Sequence, residues 1–549
     1  MTAPARNLRR APGAELAAVL LLLGFFVVNG LIAARTHTPT VDEFVYLPAG
    51  YYHLRTGDLT FDASNPPLLK MAMALPLLAM DLELERDPYW RDNSTGWGPW
   101  IFGTRFMELN RAAYLDAFFA ARLVTIMFGI VTGALLWWWA RTLLSPVAAL
   151  AALLLYATSP TVLAHSALAT LDIGVTMLIL AAFGALARFS ASHRRRWAVI
   201  AGALFGLGVA SKGVALIFAP LVPFLTATGW RAWDRDGTLR FAGGIMVLGA
   251  SAWLALLTVY QFSGFPLPGP VLEGIRFQAI ASSAGEFPAF LNGEWSQTGW
   301  WYYFVEALVL KTPLPTIAFV LVGLAAIVRR RGRAAGDLWI VLPPLFLLYV
   351  LSFHFGKNYG VRYLLPALPF LMLLAGVGVQ ALLRARRAVP VVAALVLWQV
   401  VASVFTAPHH LAYFNELAGA KDEHRRLLLD SNLDWGQDLG RLKAFLDEGE
   451  TGPILLGYFG HVDPALYGID YTLPPDAPAP GRYAVSANFL AGYPYAITYR
   501  EPMLGVRPGA WSWIDRVRPI ARVGSSIYVF DVSEDDARRL ATRPDAEEH

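Results

Sequence analysis

The sequence predicts an α-helical polytopic membrane protein of about eleven transmembrane helices, followed by a small C-terminal α/β domain. Three observations predict it. The 549 residues are 56% hydrophobic and only 16% charged, well short of the roughly 25% charge of ordinary soluble domains. The apolar residues gather in blocks that approach the roughly 20 residues a spanning helix needs. The basic residues between those blocks fall on alternate loops, which is the positive-inside pattern.

The blocks run near 14–34, 117–140, 146–166, 171–190, 197–211, 213–229, 241–260, 314–328, 338–354, 364–384 and 389–407. The fifth and sixth are short and are separated only by Ser211-Lys212-Gly213. The first follows Arg6, Arg9 and Arg10, which places the N-terminus inside. Later inside loops carry Arg141, the run His193-Arg194-Arg195-Arg196, Arg231 with Arg235 and Arg240, Arg329-Arg330-Arg331 with Arg333, and Arg384 with Arg386 and Arg387. A wrong helix count would invert this alternation from the error onward. An odd number of spans puts the C-terminus outside. The first block is long for the apolar core of a signal peptide, and no clear small-x-small cleavage site follows, so it reads as an uncleaved helix.

Three outside segments are long, at about 35–115, 261–312 and 408–549. In the first, Phe44, Val45, Leu47, Tyr51, Tyr52 and Leu54 recur with roughly helical spacing, which predicts a short interfacial helix. Residues 66–80 are apolar but too short to span, so they are expected to lie along the outer interface or dip into it. The division predicted is a membrane domain over 1–407 and a soluble domain over 408–549. The latter starts with helical patterns and continues with strand-like runs at 453–459, 482–490 and 525–532.

Composition also excludes chemistry. With no cysteine, there are no thiolate metal sites, disulfides or cysteine nucleophiles. The net charge of +4 comes from short clusters between apolar blocks, which argues against a nucleic-acid surface.

The chemistry-bearing residues gather on the outer side. Asp42 and Glu43 stand just past the first helix, where adjacent carboxylates are costly unless paired, liganded or wet. Acidic residues also favour helix N-termini, so a solvated helix start is the plainer reading. Pro66 and Pro67 start a new element and place Lys70 on its first turn. Lys70 could snorkel, or hold a lipid phosphate as a point charge. Arg122, His165, Asp172, Lys212, Lys311, Lys357 and Arg362 also fall at or beyond outer helix ends.

Asp42-Glu43, then Phe61-Asp62 and Asn65-Pro66-Pro67-Leu68-Leu69-Lys70, resemble the first outer loop of the protein O-mannosyltransferases. Those enzymes and the lipid A aminoarabinose transferases form glycosyltransferase family 39, of the GT-C fold. The family pattern has His where this chain has Asn65, and Gly where it has Leu69. Arg122 in AARLVT, the turn ending at Asp172, Ser211-Lys212-Gly213, the run from Lys311 to Pro315, the run from Asn358 to Pro366, and YFNELAG followed by DSNLDWGQDL resemble further segments of the bacterial branch.

The resemblance implies an inverting glycosyltransferase that uses a polyprenyl-phosphate sugar at the outer face of the cytoplasmic membrane. Asp42 and Glu43 would be catalytic, with Asp42 as base for the acceptor hydroxyl. Lys70, Arg122, Asp172, Lys212 and Arg362 would bind the donor and its phosphate. The acceptor would be a protein, a glycolipid or a polymer. No obligatory cofactor is implied, although Asp42, Glu43 and Asp172 offer hard oxygen ligands for a divalent cation. Two other readings of the same composition are a transporter or flippase for lipid-linked sugars, and a scaffold whose tail binds proteins. A transporter should carry ionisable groups near mid-membrane and repeated broken helices. For DSNLDWGQDL, packing within the tail is favoured over a binding surface.

Overall fold

The structure, a computed structural model, describes residues 13–85, 97–230, 234–283, 288–330, 335–449, 453–499 and 503–542. The basic residues Arg6, Arg9, Arg10, Arg231, Arg331 and Arg333 lie outside them. Each of the eleven apolar blocks has a helical counterpart, but the number able to span is smaller than expected. Seven helices among the described residues are long and apolar enough to cross a membrane, or up to nine if two bent pairs each count as one span.

In chain order the bundle begins with α1 (Gly13–Thr36), then α2 (Val41–Thr56), α3 (Leu68–Ala74) and α4 (Gly98–Leu109). It continues through α5 (Tyr114–Leu143), α6 (Pro146–Ala157), α7 (Pro160–Ser166), α8 (Leu171–Ser192) and α9 (Arg195–Val209). The blocks at 197–211 and 213–229 give the shortfall. The first is α9, of 15 residues. The second is broken into α10 (Val214–Ile217) and α11 (Leu221–Ala227), with Pro220 at the break. α6 and α7 form one bent pair, at 61°. Pro160 starts α7, where a proline is tolerated in the first turn.

Next come α12 (Arg235–Val259), α13 (Gly269–Ser283), α14 (Tyr303–Lys311) and α15 (Leu314–Arg329), then α16 (Ala335–His354), α17 (Leu368–Leu383) and α18 (Val389–Thr406). α14 and α15 meet at 115°, around Pro313. Small residues let these helices close up. A Cβ on Gly202 or Gly206 of α9 would come within 2.2 Å of Leu248 O or 2.1 Å of Ala252 O of α12. Membrane helices pack backbone to backbone in this small-xxx-small way.

Both short helices expected in the segment 35–115 are present, but α2 is buried in the bundle from Glu43 to His53 and shows no interfacial face. α2 is the short helix after the first span, and α3 with the 3-10 turn Leu75–Ala79 is the short apolar element. The two touch closely: a Cβ on Gly50 would lie 2.1 Å from Lys70 O. Two interactions fix opposite ends of the α1–α5 pair. Arg141 Nε donates to Glu15 at 2.8 Å, and Arg122 Nη1 donates to Ala34 O at 2.8 Å.

The tail adds α19 (His424–Leu427), α20 (Leu439–Glu448), α21 (Ala487–Leu490) and α22 (Glu534–Ala541). Before it, β1 (Ala289–Leu291) and β2 (Glu294–Ser296) make a hairpin. The strands β3 (Ile454–Gly457), β4 (Tyr471–Thr472), β5 (Gly481–Ser486), β6 (Tyr495–Ile497), β7 (Leu504–Val506), β8 (Ala521–Val523) and β9 (Ile527–Val532) follow. Five of them form a sheet in the order β4-β3-β5-β9-β8. β3 runs parallel to β4 and β5, and β9 runs antiparallel to β5 and β8. β3, β5 and β9 are the three expected strand runs. The second half of the 482–490 run turns helical as α21.

Candidate active site

The site is built from the loop between α1 and α2. Thr38 N donates to Gln437 O at 3.0 Å and Val41 N donates to Trp435 O at 3.2 Å, so a strap from the tail holds this loop on one side. Glu43 holds it on the other. Its Oε2 accepts from Thr40 N and Thr40 Oγ1, each at 2.9 Å. Its Oε1 accepts from Ala169 N of the α7–α8 turn at 2.6 Å.

Arg122 completes the lock. Its Nε and Nη2 grip Glu43 at 2.8 and 2.7 Å. Its remaining donors go to Ala34 O at 2.8 Å, His37 O at 2.7 Å and Thr38 O at 3.2 Å. A guanidinium has five N–H donors, and all five are engaged here. Both side chains are buried, at 0% exposure for Glu43 and 2% for Arg122.

Asp42, next in sequence, turns to a different environment. Its carboxylate is 17% exposed and pairs with Arg362, from the 3-10 helix Val361–Ala367. Tyr46, one turn on, donates to Asp42 Oδ2 at 3.1 Å, and Asn65 Nδ2 donates to Tyr46 OH at 3.2 Å. The Asn65-Pro66-Pro67 loop therefore reaches Asp42 through Tyr46. The Arg362 guanidinium lies 4.5 Å from the centroid of the Trp435 ring, a cation–π contact from the tail.

Beside this pair, Lys212 Nζ donates to Asp172 Oδ1 at 2.6 Å, and Lys212 lies 5.1 Å from the Tyr363 ring centroid. Asp42, Asp172 and Asp430 all lie within electrostatic range of Arg362. Arg362 Nε, Asp172 Oδ2 and His165 Nδ1 are buried without a hydrogen-bond partner among the described residues. Buried polar groups are normally satisfied, so these three atoms keep bonding capacity for a polar ligand.

Of the residues expected at the site, the structure brings Asp42, Arg362, Asp172 and Lys212 into one electrostatic cluster. Glu43 and Arg122 lie directly behind it, spent on each other and on backbone. Lys70 also faces inward. Its ammonium is fully buried and donates to Asp62 O at 2.8 Å and Asp62 Oδ2 at 2.9 Å. Burial pulls its pKa down, and the Asp62 carboxylate opposes that shift. Lys70→Met would leave the Asp62 charge buried and alone. It is expected to cost about 3–5 kcal/mol, read as a lower thermal unfolding temperature in detergent. Lys70→Met/Asp62→Asn should recover most of the loss.

Tyr46 is a site residue that no sequence motif marks. Its i+4 spacing from Asp42 on α2 was the available signal. The contact of Trp435 with Arg362 had no local signal. The DSNLDWGQDL stretch is packed, as favoured: Trp435 is 1% exposed and Asp434 and Asp438 are 0% exposed. Asp438 Oδ2 accepts from Ser525 N, Ser526 N and Ser526 Oγ at 2.7, 3.1 and 2.9 Å. Among the described residues no group of three or more His, Asp or Glu is placed to hold a metal ion.

Residues 106–255, from the end of α4 to α12, match the family model described as dolichyl-phosphate-mannose-protein mannosyltransferase. Among solved structures, ArnT from Cupriavidus metallidurans in the apo state matches over 97% of this chain and 100% of its own, at 14% identity and a TM-score of 0.50. ArnT bound to undecaprenyl phosphate matches over 96% and 99%, at 16% identity and a TM-score of 0.47. The Archaeoglobus fulgidus oligosaccharyltransferase in its apo form matches over 86% of this chain and 71% of its own, at 14% identity and a TM-score of 0.44. No curated protein sequence matches the chain. The family match is confined to residues 106–255, and the likeness to apo ArnT shows that the chain has the GT-C fold.

Proposed function

We propose that the chain transfers a sugar from a polyprenyl-phosphate donor to an acceptor hydroxyl, with inversion, at the outer face of the cytoplasmic membrane. The observation that carries the proposal is a partly exposed Asp42 paired with Arg362, with the Asp172–Lys212 pair beside it. A base next to fixed cations is what transfer from a sugar phosphate needs. The family description names a dolichyl-phosphate sugar, and ArnT, whose apo form shares the fold, also binds undecaprenyl phosphate. The alternation of basic loops supports an inside N-terminus and an outer site. Residues 1–407 would then be the catalytic membrane domain and 408–549 an extracytoplasmic domain.

In this mechanism the donor phosphate competes with Asp42 for Arg362. Once the phosphate occupies Arg362 and Lys212, the Asp42 carboxylate is released to act as base. Asp42 takes the proton of the acceptor hydroxyl as its oxygen bonds to the anomeric carbon from the face opposite the phosphate. The bond from that carbon to the phosphate oxygen breaks, and its electron pair leaves with the lipid phosphate, held by Arg362 and Lys212. Glu43, Arg122 and Lys70 act as positioning residues. The polyprenyl tail lies against the apolar helices.

The test is transfer by the purified protein from a panel of polyprenyl-phosphate sugars to lipid and peptide acceptors, with the product anomer read by NMR. Transfer with an inverted anomer supports the proposal. A protein that moves no sugar from any donor, or that retains configuration, overturns it. A metal is not required in this scheme, because Asp42, Glu43 and Asp172 are each paired with a basic side chain. Transfer is therefore expected to be unchanged by a chelator; a loss restored by one divalent cation would reverse that part.

A further inference from the structure

The tail contributes a carboxylate that the mechanism does not use. Asp430 stands at the start of the strap that holds the α1–α2 loop. Its position is set by bonds in both directions along the strap. Ser431 Oγ donates to Tyr359 O at 2.6 Å, and Asn432 Oδ1 accepts from Val361 N at 3.0 Å, which ties the strap to the backbone leading into Arg362. Gly360 makes this approach possible. Its φ is +116°, and a Cβ there would lie 2.1 Å from Ser431 Oγ. Lys311, buried at the end of α14, donates to Asn432 O and so braces the strap from below.

Asp430 itself has φ +55°, a left-handed conformation that aspartate tolerates better than most residues. Its own N–H is taken by Asn488 Oδ1 at 3.1 Å. The side chain is half-buried and accepts from Ser431 N. Arg362 and Asp42 are both within its electrostatic range, as are the phenols of Tyr303 and Tyr363. Burial lifts its pKa to about 6, against the pull of Arg362.

Three carboxylates thus surround Arg362. Asp42 pairs with Arg362 and Asp172 pairs with Lys212. Asp430 has no ion pair of its own among the described residues. Ser431 and Asn432 tie Asp430 to the backbone on either side of Gly360, which sets this carboxylate beside the group that would hold the phosphate and so within reach of the sugar attached to it. A carboxylate accepts hydrogen bonds from hydroxyls and offers them no competing donor.

We propose that Asp430 binds hydroxyl groups of the donor sugar, so that the C-terminal region takes part in choosing the sugar. This rests on the polyprenyl-phosphate reading of the same site.

The experiment compares wild-type protein with Asp430→Asn and Asp430→Glu in detergent. Binding of sugar-free undecaprenyl phosphate is measured first. Steady-state transfer from the best donor of the panel is measured second. Asp430→Asn is expected to bind sugar-free undecaprenyl phosphate within about 2-fold of wild type. It should lose about 10-fold or more in kcat/KM for transfer, mostly through KM, and its ranking of donor sugars should change. Asp430→Glu should recover part of the loss and keep the wild-type ranking. Unchanged kcat/KM in Asp430→Asn overturns the proposal. So does an equal loss of binding to sugar-free undecaprenyl phosphate, which would make Asp430 a positioning group for Arg362. If wild-type protein transfers nothing while binding the lipid phosphate, the broader reading fails instead, and the two failures are told apart.

Discussion

Asp42→Asn is expected to lower the rate of sugar transfer by about 10²–10⁴-fold, the usual contribution of a positioned general base. The substitution is nearly isosteric and lies at a partly exposed position. Its effect on folding should therefore be small. Tyr46 can still donate to the amide oxygen, as it now donates to Asp42 Oδ2. Arg362 loses its carboxylate partner and becomes freer to accept a phosphate. The variant should therefore bind sugar-free undecaprenyl phosphate at least as tightly as wild type while failing to transfer. Few alternative roles for Asp42 predict that combination: a structural carboxylate would lose both, and a phosphate-repelling one would gain both. Full activity in Asp42→Asn would remove Asp42 as base.

Arg122→Met is expected to be among the most destabilising single changes near the site. It leaves the Glu43 carboxylate buried and uncompensated, and it strips side-chain donors from Ala34 O, His37 O and Thr38 O. Breaking a buried ion pair by removing one partner costs about 3–5 kcal/mol. Glu43→Gln should cost a similar amount, because its amide N–H groups would face donors and the buried Arg122 charge would lose its partner. The double variant Glu43→Gln/Arg122→Met should be more stable than Arg122→Met alone, since no charge is left stranded. Thermal unfolding in detergent gives the ranking. Transfer should fall in all three, because the α1–α2 loop that carries Asp42 loses its anchor. Equal stability of Arg122→Met and wild type would show that the lock is not a source of rigidity.

The membrane character of the chain was legible because it depends on composition and on the run length of apolar residues. α2 and α3 were legible because their apolar spacing and the Pro66-Pro67 start are local signals. The span count was less so. Residues 213–229 are apolar enough in sequence, but Pro220 breaks the helix there into α10 and α11, and α9, at 15 residues, is too short to span. The chemistry of the acidic pair was only half legible. Asp42 and Glu43 are adjacent on α2, and their side chains leave the helix about 100° apart. One meets Arg362 and the other meets Arg122. Nothing in the spacing says which neighbour each carboxylate will find. Lys70 shows the same limit: its buried partner Asp62 lies eight residues away on a turn, a pairing that neither the snorkelling nor the lipid-phosphate reading of the sequence contained.

The strap from residues 430 to 441 has a consequence for biosynthesis. The segment bearing Asp42 leaves the ribosome early, but Trp435 and Gln437, whose carbonyls dock its backbone, are made almost four hundred residues later. During that interval the bundle lacks the strap that docks the α1–α2 loop. On the proposed function, transfer would begin only when the distal part of the chain folds back. A polypeptide truncated before residue 430 is thus expected to insert yet to transfer no sugar.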